Sequence, residues 1–462
     1  MRVSIRPITI SPVFALRCVL SAFCCTACVT AARAAAAATP QQKIDAYLDQ
    51  RWEAPASATD DLLKELKLDA PELEKLLRDG RASYPEPPQG KGKLTFGMQL
   101  QCEHVDHETK YMIYVPSGYD TKKAAPLIFV AHGGSAGRDI AFGARAAGGG
   151  MGPWLKTADK HGCILLAPIT DRGWGGIGNS IALSALSKVQ RDYHIHPDRI
   201  YVTGHSMGGH MTWRSAMSFA DRWGAVSPMS GGYDYVKDQQ VFACLNVPGF
   251  ATWGTNEPYH INEFNNIIKK WMDEHAFGWV MHEKKGGHEI FEDEIEPVAE
   301  FFDKNPRNLY RAKIYARGSG SLTFHKADEK RAEWSKAHTW NEKRPIPVST
   351  CHWVRLSPLP KDTPAESAKQ SVWAVNKGGN AFEITAENAK KLKIYLHPKM
   401  VDFTKPVTIT VNGKEVFKQT VKPDLKMMLE LVREFDDRGR IFYASVDVDV
   451  PGSKAPPEPS GK

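Results

Sequence analysis

A glycine-flanked serine is the first arrangement in this chain able to do chemistry. Residues 204–208 read Gly204-His205-Ser206-Met207-Gly208, directly after the β-forming run Arg199-Ile200-Tyr201-Val202-Thr203. In this G-x-S-x-G pattern the glycines admit a turn too tight for side chains, and the serine is lifted off the strand end in a strained backbone conformation. A helix starting there aims its N–H groups at an oxyanion forming beside the hydroxyl. Ser206 is therefore read as a nucleophile, and the rest of the chain must supply a base, an acid and an oxyanion hole.

His288, in Lys285-Gly286-Gly287-His288-Glu289, is the candidate base, 82 residues after the serine. An imidazole accepts the serine proton and returns it to a leaving group near neutral pH. Elbow enzymes place an acid between the two in chain order. Glu257, in Gly254-Thr255-Asn256-Glu257-Pro258, is expected to orient the imidazole, with Asp234, in Ser230-Gly231-Gly232-Tyr233-Asp234, as the alternative. For the oxyanion, Ala131-His132-Gly133-Gly134-Ser135 follows an apolar strand. The Met207 N–H is expected as one donor and that of Gly134 or Ser135 as the other. His132, Gly133, Trp174 and His205 are the expected pocket residues. His194-x-His196 lacks an acidic or third histidine partner nearby, so no metal site is read there. Gly148-Gly149-Gly150 has no Lys-Ser/Thr after it and reads as a mobile loop, not a phosphate cradle.

The elements that must hold these groups follow an α/β pattern between residues 94 and 304. Strands are expected at Thr109–Val115, Leu127–Val130, Cys163–Ala167, Arg199–Thr203, Ala225–Ser227, Gly249–Trp253 and Trp279–Met281, with helices between them. Ala182, Ala185, Leu186, Val189 and Tyr193 form one helical stripe, and Ile261, Phe264, Ile268 and Trp271 another. About twenty residues separate the strands at 227 and 249, too few for a large lid domain, so an open site is expected.

On either side the character changes. Residues 41–90 read as a short helical lead-in, packed on the catalytic domain, that ends in a Pro/Gly linker. Residues 305–450 read as a β-rich accessory domain, sandwich-like, with Asn412-Gly413 as a hairpin turn and one helix at Asp424–Glu434. Residues 451–462 read as a flexible tail.

Residues 1–38 carry the marks of an export signal: Arg2 and Arg6, a 12-residue small-apolar run from Cys18 to Val29, and an alanine-rich cleavage region. That run is too short to span a bilayer. A lipid anchor at Cys28 and an unprocessed tail are the alternatives. A periplasmic or extracellular location follows, without a stable membrane anchor. The net charge of +7 includes four arginines of this segment, which leaves +3 without them, and no basic tract interleaved with aromatics points to nucleic acid. Of the eight cysteines, Cys102, Cys163, Cys244 and Cys351 lie beyond the segment with no CxxC spacing; one disulfide among them is possible.

The run from Asp198 to Gly209, with His132-Gly133-Gly134 upstream and Gly254-Thr255-Asn256-Glu257-Pro258 downstream, resembles the α/β-hydrolase serine esterases. It is most similar to the feruloyl esterase and polyhydroxybutyrate depolymerase-like group, with kinship to dienelactone hydrolases and prolyl oligopeptidase-type domains. The resemblance implies a doubly wound, mostly parallel sheet and a Ser206, His288 and residue-257 triad. Glu257 stands where such enzymes usually carry Asp. The expectation is an exported serine carboxylesterase acting through an acyl-enzyme. Its substrates would be polysaccharide-linked aromatic or acetyl esters, or polyesters, with no cofactor and no metal. A peptidase and a glycan- or surface-binding protein with a weak hydrolase domain are the alternatives.

Overall fold

The central strand β3 (Ala125–Ala131) is buried along its whole length, as expected of a strand covered on both faces. Leu127 and Phe129 point into one apolar cluster, and Ile128 and Val130 into another, on the opposite face. The structure is a computed structural model, which describes residues 37–134, 139–171, 173–232, 239–275, 277–317, 350–358 and 370–452. Thr39–Lys462 forms one compact unit.

The large sheet has eight strands. Besides β3 they are β1 (Lys93–Gln101), β2 (Glu108–Val115), β4 (Ile164–Pro168), β5 (Ile195–His205), β6 (Val226–Met229), β7 (Phe250–Gly254) and β8 (Val280–Lys284). Their spatial order is β1-β2-β4-β3-β5-β6-β7-β8. β2 runs antiparallel to both neighbours, and every pair from β4 onward is parallel. This is the α/β-hydrolase sheet. One face is covered by α6 (Gly176–Asp192), α7 (Met207–Ser218) and α8 (Tyr259–His275), the other by α4 (Ile140–Met151), α5 (Leu155–His161) and α9 (Ile295–Lys304).

Two expectations are corrected here. Gly148–Gly150 belongs to α4 rather than to a mobile loop. The Asp139 carboxylate caps that helix by accepting from the Phe142 N–H at 2.6 Å, and its Gly150 lies against Val130. Packing on β3 outweighs the poor helix propensity of glycine. The four cysteines of the described residues are free thiols, so no disulfide forms among them. The apolar stripes of α1 (Pro40–Gln50), α2 (Ala58–Leu66) and α3 (Ala70–Arg78) face a late helix, α10 (Leu425–Phe435), rather than the large sheet.

That late helix begins at Asp424, whose side chain accepts from the Met427 N–H at 3.0 Å. Met428, Leu429 and Val432 meet Ile44, Leu73 and Leu77, while Leu431 and Phe435 enter a second core. Two antiparallel-rich sheets enclose that core. One contains β10 (Thr350–Cys351), β11 (Val354–Leu356), β14 (Lys391–Leu396) and β17 (Ala444–Asp449). The other contains β9 (Lys313–Arg317), β12 (Ser371–Gly378), β13 (Ala381–Glu387), β15 (Val407–Val411) and β16 (Lys414–Gln419). The β15–β16 hairpin turns at Asn412 and Gly413 with φ of 48° and 77°, the left-handed pair that Asn-Gly favours.

Buried and half-buried charges tie these parts together. Asp198, in β5, pairs with Arg78 of α3 at 2.8 Å and with Arg307 at 3.0 Å. Arg307 also grips Asp437 through two hydrogen bonds, and Arg440 pairs with Asp221 at 2.8 Å. Burial opposes ionisation of Asp437, and the Arg307 guanidinium outweighs it, holding the carboxyl well below its ordinary range.

Candidate active site

Backbone strain marks the end of β5. Ser206 adopts φ 59° and ψ −118°, in the left-handed half of conformational space that β-carbon-bearing residues avoid. A Cβ at Gly204 would sit 2.6 Å from the Ala131 carbonyl oxygen, and one at Gly208 would collide with the same oxygen. The turn therefore needs glycine on both sides of the serine. Ser206 N–H donates to the Met229 carbonyl at 3.0 Å, and α7 starts at the next residue.

The loops after β7 and β8 come to the same place. Thr255 N–H donates to the Lys284 carbonyl and Asn256 N–H to the Gly286 carbonyl, each at 2.8 Å, which fixes one loop against the other. His288 then lies between two partners. Its Nε2 is 2.8 Å from Ser206 Oγ, and its Nδ1 is 2.6 Å from Glu257 Oε2. A carboxylate only accepts, so Nδ1 carries the hydrogen and Nε2 is free to accept from the serine hydroxyl. The Glu257 side chain is fully buried, whereas that of His288 is 36% exposed. An unexposed carboxylate keeps its attraction for an imidazolium, and an open imidazole can meet a substrate. This line can draw a proton off Ser206 and hold the resulting charge.

Other residues fall into place around this line. Gly133 lies against the elbow: a Cβ there would be 3.5 Å from that of Ser206. Gly134 follows with φ 110°. Ser135 and the alternative acid Asp234 lie outside the described residues. Met207 is the first residue of α7, the position from which an N–H faces the helix N-terminus. His132 and Trp174, expected at the pocket, are instead core residues at 1% and 2% exposure. Thr170 N–H donates to His132 Nε2 at 3.0 Å, and Trp174 Nε1–H donates to the His132 carbonyl at 2.9 Å. They support the turn from beneath rather than touch what lies above it. Burial pushes the pKa of His132 down. His205 is half-buried, with its ring centroid 4.8 Å from that of His288. His194 is a structural residue, stacked on Tyr84 at 4.7 Å and bonded to the Thr121 carbonyl.

Sequence reasoning missed Ser230. It follows β6 with φ 45° and is wholly buried. Its hydroxyl donates to the Glu289 carbonyl at 2.9 Å, and its N–H to the Thr252 carbonyl at 2.8 Å. It thus anchors the loop that carries His288. The Ser-Gly-Gly run containing it was legible as a turn, but nothing local reveals a partner 59 residues away.

Comparison with known proteins gives partial matches. No family model matches the chain. A probable feruloyl esterase C from Aspergillus terreus is 32% identical over 131 residues, covering 27% of this chain and 46% of that protein. A bifunctional acetylxylan esterase/xylanase from Neocallimastix patriciarum is 25% identical over 128 residues, 26% of this chain and 19% of that protein. The chain spans about half the length of the feruloyl esterases it matches. Among solved structures, a feruloyl esterase module from Clostridium thermocellum complexed with sinapinate superposes with a TM-score of 0.38 at 15% identity, over 49% of this chain and 93% of that one. The chain has the sheet order of the α/β-hydrolase fold with a glycine-flanked serine at the elbow, and over about a quarter of its length it is similar to feruloyl esterases.

Proposed function

We propose that the chain is a serine carboxylesterase that works through an acyl-enzyme. Ser206 is the nucleophile, His288 the base and then the acid, and Glu257 the carboxylate that holds the imidazole. The hydrogen-bonded line from Glu257 through His288 to Ser206, at 2.6 and 2.8 Å, carries this reading. As Ser206 Oγ attacks the ester carbonyl carbon, its proton passes to His288 Nε2. The oxyanion accepts hydrogen bonds from the Met207 N–H and from that of Gly134 or Ser135. Collapse expels the alcohol, which takes the proton back from His288. Water then repeats the sequence on the acyl-enzyme and releases the acid.

The substrates we assign are esters attached to polysaccharide, aromatic or acetyl. The similarity to proteins named feruloyl esterase and acetylxylan esterase supports this choice. A location outside the cytoplasm fits such substrates and the apolar run of residues 18–29. No helix among the described residues is long and apolar enough to cross a membrane.

A fluorophosphonate probe tests the chemistry. The wild type should be labelled and Ser206→Ala should not; a folded wild type that resists the probe sinks the proposal. Initial rates on feruloylated and acetylated xylan fragments, a polyester film and an aminoacyl anilide then rank the substrate classes. The two xylan esters are expected to lead, and a faster anilide would replace the esterase reading with a peptidase one.

A further inference from the structure

The two hydrogen bonds of His288 leave one freedom uncontrolled. Bonds at Nδ1 and Nε2 fix a line through the imidazole, but they scarcely resist rocking of the ring about that line. Only a contact on the ring face does. The side chain is 36% exposed, and among the described residues His205 supplies a ring contact, with centroids 4.8 Å apart and planes inclined by 44°.

His205 is itself held from behind. It is the last residue of β5, so the strand fixes its backbone, and a Cβ at Gly133 would lie 3.7 Å from its Nδ1. The ring is thus wedged between the turn after β3 and His288. Its Nε2 is buried, and a hydrogen bond links the side chain to the His288 backbone. We propose that His205 is a positioning residue, a fixed wall that keeps the His288 ring aligned on both Ser206 and Glu257.

The role requires a neutral wall, because a cation would repel the imidazolium formed on His288 during turnover. Burial, reinforced by the neighbouring His288 charge, brings the pKa of His205 down to about 4, against smaller opposing influences of Glu257 and of a hydrogen bond with the His288 backbone. His288 and Glu257 are the titratable groups whose charges act on it. His205 is therefore uncharged from about pH 5 upward. The inference rests on His288 being the base and adds the residue that orients it.

The experiment compares His205→Ala, which removes the wall, with His205→Phe, which restores a ring face without nitrogens. Turnover of an aryl acetate and the rate of fluorophosphonate labelling are read from pH 5 to 9, alongside thermal melting. For His205→Ala, kcat and the labelling rate should fall about 10- to 100-fold, the loss typical of a misaligned catalytic group. KM should stay within about twofold. His205→Phe should recover to within about threefold of wild type, with an unchanged acid limb in its pH profile. An alanine variant as fast as wild type overturns the proposal, as does a phenylalanine variant as slow as alanine. Loss of the folded state in both variants overturns it too, since His205 would then serve the fold. Nitrogen NMR of His288 separates this inference from the esterase reading. A sharp, slowly exchanging Nδ1–H signal in wild type and His205→Phe, but one broadened by exchange in His205→Ala, supports the wall even in a protein inert to the probe. The same sharp signal in all three overturns it.

Discussion

Replacing Glu257 by Gln tests the acid with the least structural disturbance, because the two side chains have nearly the same shape. The wild-type carboxylate lies 2.6 Å from His288 Nδ1 with no exposed surface. Opposite unit charges about 4 Å apart attract by about 4 kcal/mol at an effective dielectric of about 20. This attraction exists only once His288 is protonated, so its loss raises the barrier and leaves substrate binding alone. At 1.36 kcal/mol per factor of ten, kcat should fall about a thousandfold. A glutamine amide that donates to Nδ1 also favours the wrong tautomer, which can take the loss to about ten-thousandfold. The assay is turnover of an aryl acetate with the pre-steady-state burst recorded, and KM should move little. Glu257→Asp keeps the charge on a shorter arm and should fall between wild type and Gln. A Gln variant within tenfold of wild type refutes the assignment. Paired with an inactive Asp234→Asn, it would move the acid to the strand before.

Three further outcomes follow from geometry already described. Ser230→Ala should cost about 0.5–1.5 kcal/mol in urea denaturation by removing the hydrogen bond to the Glu289 carbonyl, and should lower kcat more than it raises KM; unchanged kcat would show that the anchor to Glu289 is dispensable. Arg307→Ala should cost about 3–5 kcal/mol, because Asp437 stays buried at 3% exposure with the longer Arg440 contact, at 3.6 Å, in place of its two hydrogen bonds to Arg307; a loss below about 1 kcal/mol would contradict this. Burial raises the Glu74 pKa, but hydrogen bonds from His397, Arg78 and Tyr443 outweigh it and bring the carboxyl from 4.5 to about 2. A depressed folded-state value stabilises the protein above the unfolded pKa, and that stability drains away as pH falls from 4.5 towards 2. Urea midpoints measured between pH 5 and pH 3 should therefore drop, and drop less in Glu74→Gln; parallel curves would show that Glu74 contributes nothing.

What was legible in the sequence was local or tied to a fixed topology. Gly204, Ser206 and Gly208 announce their turn because no other residues fit it. The strands from Thr109 to Met281 were visible because each buries a short apolar run. Tertiary packing decided the rest. Trp174 sits on the sheet's active edge by position alone, yet Phe129 and the His132 carbonyl draw it into the core. The triple glycine at 148–150 looks like a loop until β3 is placed beneath it. The stripes of α1, α2 and α3 showed that these helices bury a face, but could not name a partner hundreds of residues downstream. Glu257 and Asp234 stand on neighbouring strand ends, and choosing between them by sequence meets the limit that loop conformation sets.

The pairing of the first helices with α10 also has a consequence in time. Chains are made from the N-terminus, so α1–α3 are made well before the helix that covers them. Contacts such as that between Tyr443 and Glu74 close a loop of 369 residues. Such closures form late, because the entropy of the intervening chain is surrendered before the contact rewards it. Until then the apolar stripes of the nascent segment have no native cover, the condition in which chaperones bind and premature association begins. The cover for the first helices is thus a clasp between segments far apart in the chain, and their apolar faces wait for it until Phe435 has been made.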